Sequence, residues 1–411
     1  MKTICVKLFG KDIGSLRQND TGNLEFVYQS DAARSLSISL PNQKEVFEAS
    51  HCVPYFSGLL PESAQVRTLI GKRYGVSPHN IFSLLQSIGH DCAGAVSFHG
   101  PEDEGASSNL DLFDGRILSV HELKALLMDL PKRPLLTDVD GLRLSLAGVQ
   151  DKAALCYEDG VWMIPHGTCP TTHILKTAIA HLPSSIINEH TCLKIASAIG
   201  LEAAETKIVN VDGMDILLIK RYDRVRMGDR ILRLHQEDFC QALSILPEHK
   251  YENEGGPSTI RCFQLLQYSA FPGKDRLHFL MYFIFNILIG NKDAHGKNYS
   301  FLYNEQYQPI LTPLYDTLCT DLYPDLTPKM SMKIGGQYRL QDVYRRHWIG
   351  FCNELNIAFP LIEKLIFDIA EKIHRQLHDP SFEIRERDLD FWKSFVHHIQ
   401  HQIDGVVKRM Q

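Results

Sequence analysis

The sequence lacks the patterns that mark several large functional classes. None of its ten cysteines forms a C-x-x-C pair, which disfavours a zinc or disulfide framework and is typical of buried thiols in a reducing compartment. Its nineteen histidines include no H-E-x-x-H motif, so a metalloprotease site is not expected. The net charge is −6, which argues against charge-driven binding to nucleic acid over a broad surface.

Long apolar runs are also missing. The most apolar stretch, Leu277 to Ile289, contains His278 and Asn286 and is shorter than the roughly 20 residues that a membrane span needs. The first ten residues alternate as a strand does and are too interrupted for the apolar core of a signal peptide. We therefore expect a cytoplasmic protein with no membrane segment.

Hydrophobic periodicity predicts three regions within the 411 residues. Alternating runs at 3–9, 24–28 and 36–40 predict a small antiparallel sheet in a β-rich N-terminal subdomain over residues 1–105. Glycine, serine and acidic residues at 100–109 are typical of a linker. Residues 116–235 predict a mixed α/β lobe, and residues 236–411 are mostly helical. The predicted fold class is α+β.

The strongest chemical signal follows the apolar run that ends at Ile289. Asp293 and Asn298 are five residues apart, which is the separation of the catalytic aspartate and the metal-binding asparagine in protein kinases. Tyr315 and Asp316 follow a strand-like stretch, where a kinase has its main magnesium ligand. Two carboxylates and an amide oxygen suit a hard cation such as Mg²⁺. A solvated loop with an N-capping aspartate explains the first segment equally well.

A strand-like stretch at 172–176 ends in a lysine. In kinases such a lysine directs its ammonium group at the α and β phosphates of ATP. The helix predicted over 186–199 places Glu189 on its buried face, where an unpaired carboxylate would cost several kcal/mol. We therefore predict an ion pair between Lys176 and Glu189, although lysines at strand ends are common.

Two further segments fit a nucleotide. Ala147 and Gly148 lie between strands predicted at 142–146 and 153–157, where small residues let a backbone approach phosphates. This segment matches G-x-G-x-x-G poorly, and by itself an ordinary hairpin connection would explain it. Lys220 and Tyr222 leave another predicted hairpin at the position of the hinge that holds adenine through backbone groups.

These parts follow one another in the order of a two-lobed kinase, with a mixed α/β N-lobe and an all-helical C-lobe. Over nearly the whole chain, the sequence resembles the HipA-type serine/threonine kinase toxins of bacterial toxin–antitoxin systems. The motifs that carry the resemblance are LSLAGVQDKAAL, PTTHILK, RYDR, HQEDFCQAL, KYENEGGPS, DAHGKN and KMSMKIGG.

The resemblance implies a kinase that uses ATP and Mg²⁺, with Asp293 as the catalytic base and Asn298 and Asp316 as metal ligands. It also implies that Ser145 is autophosphorylated and that this modification switches the enzyme off. Asp151 replaces the glutamate that is usual in the phosphate loop. The nucleotide-binding residues that the resemblance implies are Ser145, Ala147, Gly148, Val149, Gln150, Asp151, Lys152, Lys176, Lys220, Tyr222, His295, Lys297 and Tyr315.

The resemblance further implies a protein substrate of the aminoacyl-tRNA synthetase class, with glutamyl-tRNA synthetase as the best-known case. The implied partner is a HipB-like helix-turn-helix antitoxin, which provides most of the contact with operator DNA. Thr177 and Ala178 stand where the family often has Leu-Pro, and they leave the substrate open. A small-molecule or lipid kinase of the same fold is one alternative. The other is a degenerate kinase that acts as a corepressor with an antitoxin. The retained kinase residues count against it, namely Lys176, Asp293, Asn298 and Asp316.

Overall fold

The structure is a computed structural model, and it describes residues 1–100, 113–136, 143–148, 150–166, 169–380, 382 and 384–411. These residues form two compact units. The first unit contains described residues of 1–177, 207–248 and 300–309, and the second contains those of 178–206, 249–299 and 310–411. Sheets and helices occur together, which confirms the predicted α+β class. The linker predicted at 100–109 lies almost entirely outside the described residues, and the predicted domain boundaries stay a prediction.

The first unit begins with the antiparallel sheet that the alternating runs predict. Its strand order is β4-β3-β2-β1-β5. Three helices follow β4 in the chain before β5 closes the sheet. The bounds are β1 Lys2–Leu8, β2 Lys11–Gln18, β3 Leu24–Tyr28, β4 Val46–Glu48, α1 Ala49–Gly58, α2 Ala64–Tyr74, α3 Ile81–Ile88 and β5 Val96–His99.

The prediction of a strand at 36–40 is wrong. This segment has only a bridge between Ser37 and Leu40. The buried hydroxyl of Tyr28 instead donates to the carbonyl of Leu40 and accepts from the N–H of Leu36. Because one phenol satisfies these buried backbone groups, the segment needs no strand partner.

A six-stranded sheet follows, with the order β10-β11-β9-β7-β8-β6. Its two tight turns, at Asp159-Gly160 and Asp212-Gly213, both have positive φ at both residues, as two-residue hairpins require. One apolar core extends from the five-stranded sheet to this one. The bounds are β6 Gly115–Leu118, α4 Val120–Met128, β7 Lys152–Glu158, β8 Val161–Pro165, β9 His173–Lys176, β10 Thr206–Val211 and β11 Met214–Lys220.

Short elements complete the first unit. Strands β12 and β13 form a hairpin, and β14 pairs antiparallel with β15. At the start of the region predicted to be mostly helical, α6 has only four residues. The bounds are β12 Arg224–Met227, β13 Arg230–Arg233, β14 Gln236–Asp238, α6 Phe239–Ala242, β15 Ser300–Tyr303 and β16 Pro309–Leu311, whose last two residues belong to the second unit.

The second unit is mainly helical. The buried residues of α11 recur at helical spacing from Phe395 to Met410, so its apolar stripe is part of the core. Among the described residues, no helix is both long and apolar enough to cross a membrane. The bounds are α5 Ser185–Ala198, α7 Thr259–Leu265, α8 Pro272–Leu288, α9 Arg345–Leu355, α10 Phe359–Leu377 and α11 Leu389–Met410.

Candidate active site

The loop that carries Asp293 begins where α8 ends. Gly290 has a φ of 72°, in the left-handed region that favours glycine, and the chain leaves the helix there. The buried side chain of Asn291 then ties the loop to the helix, because its Nδ2 donates to Oδ1 of Asn286 over 2.7 Å. Oδ1 of Asn291 accepts from the N–H of Asp293 over 3.0 Å. The loop is therefore fixed by the helix that the apolar run forms.

Asp293 accepts a hydrogen bond from a residue that the sequence analysis did not assign. The hydroxyl of Tyr251 donates to Oδ1 of Asp293 over 2.7 Å. The carbonyl of Asp293 accepts from the N–H of His295 over 2.8 Å. Tyr251 belongs to the motif KYENEGGPS, which supports the family resemblance but does not reveal this contact.

The two predicted metal ligands are neighbours in the second unit. Nδ2 of Asn298 donates to the backbone carbonyl of Asp316 over 3.2 Å, across 18 residues of sequence. The hydroxyl of Tyr315 donates to the carbonyl of Lys297 over 2.6 Å, which joins the same two segments a second time. An amide oxygen and a carboxylate are the donors that Mg²⁺ prefers, so these residues fit the ion. The described residues contain no cluster of three His, Cys, Asp or Glu side chains suited to another metal.

His295 and Lys297 are both buried within this loop, with 5% and 7% of their surfaces exposed. Burial, together with the nearby cations of Lys250 and Lys297, lowers the pKa of His295 well below its usual value. Burial therefore favours the neutral form of the imidazole.

The predicted phosphate loop lies in the first unit, where residues between Leu59 and Asp91 hold it. Ser145 is fully buried, its N–H donates to the carbonyl of Asp91 over 3.0 Å, and its Oγ donates to the carbonyl of Leu59 over 2.8 Å. The carbonyl of Gly148 accepts from the N–H of Glu62 over 3.3 Å. The strand predicted at 142–146 is reduced to one bridge between Asp91 and Leu144, and Leu142 lies outside the described residues.

Within the loop, Gly148 has a φ of 103°, and a Cβ there would lie 2.5 Å from Nζ of Lys152. That Nζ donates to the carbonyl of Ala147. Nε2 of Gln150 donates to the carbonyl of Thr177 over 2.8 Å. Burial raises the pKa of Asp151. Val149 lies outside the described residues.

Two lysines stand directly opposite each other beside this loop. Lys152 on β7 is the antiparallel partner of Lys176 on β9, so their side chains leave the same face of the sheet. Like charges in such positions repel, and a bound polyanion between them would offset the repulsion. Lys176 and the buried Glu189 belong to different units, and their ion pair stays a prediction.

The hinge residues are anchored on a buried charge network. Arg221 and Arg224 flank Tyr222 and bind the carboxylate of Asp91 at 3.3 and 2.7 Å. Burial opposes the charge of Asp91, but three arginines outweigh it and hold its pKa well below the usual range. Lys220 is exposed, and the hydroxyl of Tyr222 donates to Gln236. The motif RYDR contains both arginines, but nothing in it points to Asp91, which stands about 130 residues earlier.

The N-terminal and C-terminal regions of the chain each match a protein-family model. The model described as HipA N-terminal domain matches residues 4–99, and the model described as HipA-like C-terminal domain matches residues 144–377. The chain is 40% identical to "Putative kinase Y4mE" of Sinorhizobium fredii, over 97% of this chain and 96% of that protein. It is 31% identical to "Serine/threonine-protein kinase toxin HipA" of Shewanella oneidensis, over 85% of this chain and 81% of that protein.

A solved structure is also similar over the whole chain. It is the toxin–antitoxin complex of HipA, HipB and operator DNA from Shewanella oneidensis. The TM-score is 0.83 at 27% sequence identity, and the match covers 99% of both chains.

Proposed function

Because this chain belongs to the HipA family and is a kinase, we propose that it is a protein serine/threonine kinase that uses ATP and Mg²⁺ and acts as a growth-arresting toxin. One observation carries the proposal. Asn298 lies in the same loop as Asp293, and its side-chain amide donates to the backbone carbonyl of Asp316. These are the three residue types of the kinase reaction, at the kinase spacing.

Each residue then has a role in phosphoryl transfer. Asp293 accepts the proton of the attacking hydroxyl group as general base. Asn298 and Asp316 would hold Mg²⁺, which supplies positive charge to the phosphates of ATP. Lys176 and Lys152, which leave one face of the sheet, would provide positive charge for phosphates of ATP. The backbone between Lys220 and Tyr222 holds the adenine ring.

Autophosphorylation at Ser145 is part of this proposal. The serine belongs to the loop of small residues that would cradle the phosphates. A phosphate there adds about −1.5 to −2 charges next to the ATP phosphates, and like charges repel. The kinase therefore inactivates itself as the modified fraction increases.

The protein substrate is an aminoacyl-tRNA synthetase, with a glutamyl-tRNA synthetase as the first candidate, because the family resemblance covers nearly the whole chain. The partner is a HipB-like helix-turn-helix antitoxin that bridges this chain to operator DNA. The similarity to the HipA chain of a complex with HipB and operator DNA supports this partnership.

Phosphopeptide mapping after incubation with Mg-ATP and cell extract tests the function. We expect phosphoserine or phosphothreonine on a tRNA synthetase and at Ser145, and neither with the Asp293→Ala variant. Labelled phosphate that appears only in metabolites or lipids would instead favour a small-molecule kinase. Absence of all transfer, with retained binding to an antitoxin–operator complex, would favour a corepressor.

A further inference from the structure

We propose that Tyr251 is a positioning residue that orients the carboxylate of Asp293 towards the hydroxyl group it deprotonates. This inference rests on the proposed kinase function and adds a residue to it. The phenol donates to Oδ1 of Asp293 over 2.7 Å, from a segment 42 residues earlier in the chain. A carboxylate with one oxygen held in this way cannot rotate freely about its last bond. Its Oδ2 is then presented in one direction.

The ring of Tyr251 is itself fixed against the catalytic loop. It meets His295 edge to face, with ring centroids 5.2 Å apart and an interplanar angle of 84°. The N–H of Gly296 donates to the carbonyl of Lys250 over 3.4 Å, so the backbones of the two segments are also joined. Loss of the hydroxyl alone would leave this packing in place.

A tight turn after Tyr251 keeps the segment in this position. The N–H of Gly256 donates to the carbonyl of Tyr251 over 2.8 Å. A Cβ at Gly256 would lie only 2.3 Å from the carbonyl oxygen of His249, so no larger residue fits there. Gly255 has a φ of 96°, which favours glycine. The paired glycines of KYENEGGPS are therefore explained by the turn that delivers the phenol.

Glu252 connects the same segment to a third motif, KMSMKIGG. Its N–H donates to the carbonyl of Ser331 over 3.1 Å, and its carboxylate binds the ammonium of Lys333 at 3.2 Å. Ser331 in turn donates from its N–H and its hydroxyl to the carbonyl of Lys292, at 2.9 and 2.7 Å. Lys292 immediately precedes Asp293. These hydrogen bonds and the backbone between them form a closed path that includes Asp293. Residues of three motifs therefore hold this aspartate in position.

The hydroxyl has a second effect beyond orientation. A hydrogen bond donated to a carboxylate favours its charged form, which is the form that accepts a proton. Such a bond to a charged group is also stronger than one between neutral groups. Without it, the carboxylate becomes harder to ionise and rotates more freely. The rate of transfer should fall, and the acid limb of the pH–rate profile should move to higher pH.

The experiment compares full-length wild type with Tyr251→Phe, and with Tyr268→Phe as a matched control, because Tyr268 is exposed in the same unit. Initial rates of phosphate transfer from Mg-ATP to Ser145 and to dephosphorylated casein are measured between pH 5.5 and 9. For Tyr251→Phe we expect kcat about tenfold lower, an acid limb shifted upwards by about one pH unit, and KM for ATP within about twofold of wild type. The control should match wild type in all three.

Wild-type kcat and an unshifted profile in Tyr251→Phe would overturn the positioning role. A lower rate with an unshifted acid limb and a clearly lower melting temperature would also overturn it, since that result indicates packing alone. If wild type itself transfers no phosphate, the proposed kinase function fails first, and the positioning role falls with it.

Discussion

The hydroxyl of Ser145 donates a hydrogen bond of 2.8 Å to the backbone carbonyl of Leu59, 86 residues earlier in the chain. Leu59 therefore holds the side chain that the family resemblance marks for phosphorylation. A phosphoserine has no hydroxyl hydrogen to donate, so its oxygens would face the carbonyl oxygen of Leu59 with no proton between them. Phosphorylation at this site is incompatible with the loop position that the structure shows.

We expect Ser145→Asp to lower the affinity for a non-hydrolysable ATP analogue with Mg²⁺ by more than about tenfold, because an acidic side chain cannot stay buried against Leu59. Ser145→Ala removes one hydrogen bond, worth about 1 kcal/mol, and should retain ATP affinity. Isothermal titration calorimetry measures both. Ser77→Asp adds the same charge at an exposed serine and should behave as wild type. Equal affinity of Ser145→Asp and wild type would contradict the prediction.

Asp293→Ala should reduce phosphate transfer to a protein substrate and to Ser145 by roughly 10²–10⁴-fold, because it removes the general base. Its melting temperature should change little, since the side chain belongs to a loop whose backbone is held by Asn291. Intact-mass spectrometry after incubation with Mg-ATP reports the modification. Equal phosphate incorporation by variant and wild type, with no other kinase present, would refute the role of Asp293.

Asp316→Asn should raise the Mg²⁺ concentration for half-maximal kinase activity by at least about tenfold, because a neutral amide replaces a charged ligand. Asp316 has a φ of 50°, and asparagine tolerates this left-handed conformation better than alanine does. Magnesium titrations of initial rates measure the effect. Asp325→Asn removes the same charge from an exposed position and serves as the control. Superimposable titrations of Asp316→Asn and wild type would refute metal binding there.

Glu237 should make the stability of the protein depend on pH. Its carboxylate accepts hydrogen bonds from Ser37, the N–H of Ile38 and Tyr303. Burial nevertheless raises its pKa from 4.5 to about 7. Between these two values the folded protein binds more protons than the unfolded chain, so its stability falls as pH rises through this window. The buried His235 nearby has a pKa lowered to about 4 by burial and works in the opposite direction.

From pH 4.5 to pH 7, we therefore expect the unfolding free energy of wild type to fall by roughly 2–4 kcal/mol relative to that of Glu237→Gln. His235 is present in both proteins, so its contribution cancels. Urea denaturation at pH 4.5, 5, 6 and 7 gives the values. Glu45→Gln, at an exposed position of the same unit, should leave the slope of wild type unchanged. Parallel curves for Glu237→Gln and wild type would contradict this expectation.

Features that depend on neighbouring residues were predictable from the sequence. The apolar run forms α8 because its periodicity lies within one helix, and Gly290 ends it by its own backbone freedom. Asp159-Gly160 and Asp212-Gly213 form two-residue turns for the same local reason, because both residue types tolerate positive φ. The order of the kinase motifs and the spacing within DAHGKN can also be read without a structure, because both are properties of the sequence. The family and the α+β class follow from such signals.

Contacts between residues far apart in sequence were decided only by the tertiary structure. Nothing near Leu36 shows that Tyr28 will satisfy its backbone and prevent a strand. The bonds from Ser145 to Leu59, from Arg224 to Asp91 and from Tyr251 to Asp293 each join segments at least 42 residues apart. A side chain's hydrogen-bond partner depends on where the packed core brings other segments. Sequence spacing therefore determined which chemical groups this protein has, and packing determined which of them meet.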